Sequence, residues 1–158
     1  LGFGAILKLK ESPGNREDRS MIAEASLLAG SCISQTRTAI CHAMSYPLSL
    51  WCGLQHGLAC AFSMRAVADL CSKRQVGTFE ALALATGHAG SKELAGAVYA
   101  LFEGLEVNSF IKNKLPGVHE LLALSNEMYT TSRSDNFVIP VSHEMLLDIV
   151  RQSYGELG

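Results

Sequence analysis

The sequence predicts an all-α fold, on three observations. No stretch alternates apolar and polar residues with period two, and no Asn-Gly or Asp-Gly pair marks a hairpin. Apolar residues recur instead at helical spacing along most of the chain. Turn-forming residues gather at a few points between these runs, and TTSRSDNFVIP at 130–140 is the longest such stretch.

The elements follow in order. Residues 1–10 read as the end of an amphipathic helix, stopped by the turn SPGN at 12–15. A chain that opens inside a helix is expected to be a processed or cloned fragment. A second helix is predicted from Arg16 to Ser34, with Met21, Ala25, Leu28 and Cys32 forming its apolar face. A third covers 35–50 and is expected to kink or end near Pro47, whose nitrogen cannot donate the helical hydrogen bond. WCGLQ makes a corner, and HGLACAFSMRAVADLC begins another helix. Further helices are predicted at 78–86, 91–104, 117–129 and 142–154, with Thr78, Ser91 and Ser142 as candidate caps. There is no internal repeat. Residues 1–158 are read as a single helical metal-binding domain.

Composition narrows the function classes. With 48% hydrophobic and 18% charged residues the chain can fill a core and is not disordered. A formal charge of -2 and a pI near 6.2 exclude a general nucleic-acid binder, which needs a basic face. No apolar run has the length of a membrane span, and the first residues lack a signal-peptide layout. A cytoplasmic setting and association into a homo-oligomer are expected. The five cysteines, Cys32, Cys41, Cys52, Cys60 and Cys71, form no C-x-x-C pair and read as reduced, buried thiols.

CHAMSYPLSLWCGLQHG carries the chemistry. His42 and His56 lie fourteen positions apart, too far to share one face of a short helix. A fold-back at 47–55 would bring them together as ligands for Zn or Fe(II). Spacing alone favours the plainer account of two hydrogen-bonded core histidines, and two ligands are few for tight binding.

The segment from Ser26 to Met64 resembles the signature of the iron-containing (group III) alcohol dehydrogenases. Ala29-Gly30, His42, Pro47-Leu48 and His56-Gly57 stand in that family's order and spacing, and SDNFVIPVSHEMLLDIVRQSY resembles its closing helix. The resemblance implies the multi-helix C-terminal domain of that fold. It also implies His42 and His56 as metal ligands for Fe(II), with Zn as the alternative because polyol dehydrogenases of the same architecture use it. The family's other two ligands, an Asp and a His in a D-x-x-x-H pattern, and its glycine-rich loop for NAD or NADP have no counterpart here. The Asp and His are expected on a helix just upstream of this chain, and the loop in an N-terminal nucleotide-binding domain that is also absent from it.

Tyr46 stands where many members of that family carry a second histidine. One turn from His42, it is a candidate catalytic residue that donates a hydrogen bond to substrate oxygen. Packing against Trp51 is its competing role. Thr38 is a candidate partner for the His42 ring, Arg37 for an anionic group, and Asn136 for a loop over the cleft. Cys41 and Cys52 flank the site, while His88, His119 and His143 are assigned no role. The function implied is part of an NAD(P)-linked alcohol dehydrogenase or aldehyde reductase for small alcohols and aldehydes, inactive as this chain alone. The alternatives are a non-catalytic helical interaction domain and a member of the family that uses no metal.

Overall fold

A computed structural model describes residues 2–158 as helices joined by short turns, with no strand among the described residues. Leu1, the first residue of the helix expected over 1–10, lies outside them. The chain divides into two compact units, one up to Arg37 and one from Thr38 onward.

The first unit is a pair of packed helices, α1 (Gly2–Glu11) and α2 (Arg16–Thr36). Asn15 caps α2: its Oδ1 accepts from the amides of Glu17 (3.0 Å) and Asp18 (3.2 Å). Glu17 and Asp18 also place negative charge at the positive end of the helix dipole. The Asn15→Ala protein is expected to lose about 1 kcal/mol of stability in α2, the usual cost of such a cap, seen as faster amide exchange in its first turn. The apolar face predicted for this helix is not a core face. Only Asp18 is buried along α2, Cys32 is exposed, and Leu27 is 72% exposed. Arg37 ends the helix at φ 64°, ψ -175°, a region that glycine fills more readily.

The second unit holds the core. Its helices are α3 (Ile40–Cys52), α4 (His56–Phe62), α5 (Met64–Lys73), α6 (Gly77–Ala85), α7 (Ser91–Gly104), α8 (Val107–Lys112), α9 (Val118–Ala123), α10 (Ser125–Met128), α11 (Thr131–Ser134) and α12 (His143–Gly155). α3 is the hub, packed by α4, α10 and α11, while α5 packs on α7 and α12. Ile40, Ala43, Met44 and Leu48 of α3 are fully buried with Leu121, Met128, Leu146 and Val150. This apolar seam fixes α3 and therefore the face that His42 and Tyr46 present.

Several boundaries differ from the sequence prediction. α3 starts at Ile40, not 35, because the break falls at 37–39. It also runs through Pro47, which is buried, and stops at Gly53, whose φ of 65° closes the turn. The helix expected from His56 breaks at Ser63, and that expected over 117–129 breaks between Ala123 and Ser125. Two short helices arise where none was predicted, α8 and, within the 130–140 loop, α11. Of the three candidate caps, Ser142 acts as one, its Oγ accepting from the Met145 amide at 3.1 Å. Thr78 and Ser91 lie inside their helices instead, and the Ser91 amide donates to Glu80 at 2.8 Å.

A clasp built on buried Arg65 joins α5, α7 and α12. Arg65 lies flat against the Tyr99 ring, 3.7 Å from its centroid, with Glu103 at 3.2 Å and Glu156 at 3.7 Å. The Tyr99 hydroxyl donates to Glu156 at 2.7 Å, and Gln152 donates to the same carboxylate at 2.9 Å. Burial, together with that carboxylate, pushes the Tyr99 phenol up to about 12.

Candidate metal centre

α3 and α4 fold back on each other around Gly53 and Leu54, as the corner at 47–55 requires. Leu54 is buried, and its amide donates to the Leu48 carbonyl at 3.3 Å, which holds the turn tight. The fold-back brings His42, in the first turn of α3, against His56, the first residue of α4. Their ring centroids are 5.4 Å apart at an interplanar angle of 63°. His42 is half-buried and His56 exposed.

Sequence reasoning missed a third group. Cys60 follows His56 by one turn of α4, and its Sγ lies 3.7 Å from His56 Nε2. One donor atom from each of His42, His56 and Cys60 falls within 4.8 Å of the others. Ligands bonded at about 2.0–2.3 Å to one tetrahedral ion sit roughly 3–4 Å apart, so these side chains need only a small inward shift. Two imidazoles and a thiol are donors for Zn or Fe(II), not for Mg or Ca. The residues present therefore fit a transition-metal ion. The signal for Cys60 was its four-residue offset from His56, the spacing of two ligands on one helical face.

The electrostatics favour the neutral forms of His42 and Cys60. Burial lowers the His42 pKa from its ordinary 6.5, and the neighbouring His56 and Arg133 add to the effect. A neutral imidazole retains the lone pair that a metal takes. Burial raises the Cys60 thiol, opposed by its hydrogen bond with Ser45. Cys41 is half-exposed as a residue, but its sulfur is enclosed, and burial pushes the thiol up to about 11. A thiol raised this far is little ionised near neutral pH.

Around these donors stand Ser45, Tyr46 and Arg133. Ser45 is buried, donates from Oγ to the His42 carbonyl at 2.8 Å and lies 3.5 Å from His56 Nδ1. Tyr46 is 42% exposed and its ring centroid is 5.9 Å from that of His56. Its other neighbour is the Arg133 guanidinium, 4.7 Å from the ring centroid. Trp51 turns to a different partner, donating to Glu127 at 2.7 Å. Arg37 falls in the first unit, and within the second the cation beside Tyr46 and His42 is Arg133.

Asn136 donates to the Thr38 carbonyl at 3.2 Å, tying the segment after α11 to the start of α3. His88 pairs with Thr86 at 3.0 Å, away from these donors. No helix among the described residues is long and apolar enough to cross a membrane.

Comparison with known proteins gives one match. A family model described as the Fe-containing alcohol dehydrogenase family, C-terminal, matches residues 3–152. No curated protein and no solved structure matches the chain.

Proposed function

We propose a function from a plain premise: the chain belongs to the Fe-containing alcohol dehydrogenase family, of which it carries the C-terminal region. On this reading it is the metal-binding part of an NAD- or NADP-linked alcohol dehydrogenase or aldehyde reductase acting on small alcohols and aldehydes. The observation that carries it is the convergence of His42 and His56 from two helices onto one point, with donor atoms that suit Fe(II) or Zn.

When bound, the metal supplies Lewis acidity toward the substrate oxygen, and the nicotinamide supplies the hydride acceptor or donor. His42 and His56 would hold the metal through ring nitrogens. Ser45 steadies the His56 ring at Nδ1, while Nε2 faces Cys60. The Tyr46 phenol, exposed beside His56, donates a hydrogen bond to the substrate oxygen and orients it. Arg133 braces the Tyr46 ring and, beside His42, disfavours protonation of that imidazole.

The test is nicotinamide oxidation by the full-length protein, reconstituted with Fe(II) or Zn and offered a series of small aldehydes. Metal-dependent turnover supports the assignment; none with either nicotinamide and either metal contradicts it. The Tyr46→Phe protein keeps the ring and loses only the donor. Its kcat/KM for aldehyde is expected to fall about tenfold, the worth of one hydrogen bond near 1.4 kcal/mol, with metal content unchanged.

A further inference from the structure

We propose that Cys60 is a third metal ligand, so that His42, His56 and the Cys60 thiolate form a two-histidine, one-cysteine cation site within this chain. The inference rests on His42 and His56 being ligands, as argued above, and adds a donor that also selects the metal.

Three observations carry it. Among the described residues, these three side chains are the one set of His, Cys, Asp and Glu whose donor atoms converge as ligands would, all within 4.8 Å. His56 and Cys60 lie one turn apart on α4, which puts both on a single face. The His56 ring is also turned the right way. The Ser45 hydroxyl already gives its hydrogen to the His42 carbonyl, so toward His56 Nδ1 it can act only as acceptor. That contact, at 3.5 Å, favours the tautomer protonated on Nδ1. The free lone pair is then on Nε2, which faces Cys60 Sγ at 3.7 Å.

The chemistry is balanced simply. The Cys60 S–H bond breaks, its proton leaves to solvent, and a sulfur–metal bond forms. The thiolate offsets one of the metal's two positive charges, which the two imidazoles of this chain do not. A thiolate in the set favours Zn, or Co(II) as its spectroscopic substitute, over metals that prefer oxygen ligands. Cys60 is buried while His56 is exposed, so the sulfur closes the inner side of the site and leaves the outer side accessible.

The test is Co(II) titration of the full-length protein and its C60S and H42A variants, read by absorption. The wild type is expected to bind one equivalent and to show a thiolate-to-cobalt charge-transfer band in the near ultraviolet. C60S should lose the band and bind at least about tenfold more weakly, since even outer-shell changes cost that much. Zn-edge X-ray absorption of the wild type, which needs no variant to fold, should show a sulfur shell at about 2.3 Å. Binding without the band or the sulfur shell, and with C60S as tight as wild type, overturns the role of Cys60 and leaves the histidine site standing. A band that persists in C60S also overturns it, because another thiol would be the donor. Failure of the wild type to bind Co(II) more tightly than H42A overturns both this inference and the reading beneath it.

Discussion

The His56→Ala protein keeps its fold and loses its metal-dependent stability. His56 is exposed at the start of α4, and removing an exposed side chain changes the stability of the metal-free protein by no more than about 0.5 kcal/mol. A ligand present at a hundred times its Kd stabilises the folded state by about 2.7 kcal/mol, because the unfolded chain cannot assemble the site. The wild type should therefore melt several degrees higher in Zn than in chelator, and His56→Ala should melt at the same temperature in both. Thermal melts with and without Zn check this directly. Equal metal-dependent shifts in the two proteins would show that His56 is not a ligand.

The Arg65→Ala protein is expected to lose about 3 kcal/mol of stability with its metal site intact. Arg65 is 9% exposed and faces two carboxylates of different character. Glu103 is 69% exposed and its pairing is largely screened by water, whereas Glu156 is 16% exposed and depends on its partners. Removing the guanidinium strands Glu156 beside Tyr99 and opens a gap against the ring. The value falls at the lower end of what breaking a buried pair costs, because only one of the two carboxylates is enclosed. Arg65→Lys should rescue little of it: an ammonium keeps the charge but cannot stack on Tyr99 and reach both carboxylates at once. Chemical denaturation of the three proteins measures the effect. A loss below about 1 kcal/mol for Arg65→Ala would mean that α5, α7 and α12 are held by their apolar contacts alone.

The all-α class was legible because helical periodicity is a local property, written in residues three and four apart. What the apolar stripes face is not local. Leu28 and Cys32 lie on a helical stripe of α2, yet they are exposed. Pro47 deletes one hydrogen bond, but it sits between fully buried Met44 and Leu48, whose packing carries α3 past it. Gly53, free to adopt a left-handed conformation, is what stops the helix. At the site, the fold-back that pairs His42 with His56 could be anticipated from the Pro and Gly residues between them. Cys60 was legible in the His56 offset but is masked by its chemistry, since a buried cysteine is ordinarily filler. Arg133 and Ser45 were not legible. Arg133 reaches Tyr46 only through the docking of α11 on α3, and the role of Ser45 depends on which way the His56 ring turns.

The central claim is that His42 and His56 hold a metal, and elemental analysis tests it most directly. The full-length protein, purified anaerobically and reconstituted with Fe(II) or Zn, should carry one equivalent that its His42→Ala variant lacks. No retained metal in either protein would contradict the claim and leave both histidines as packing residues in an inherited fold.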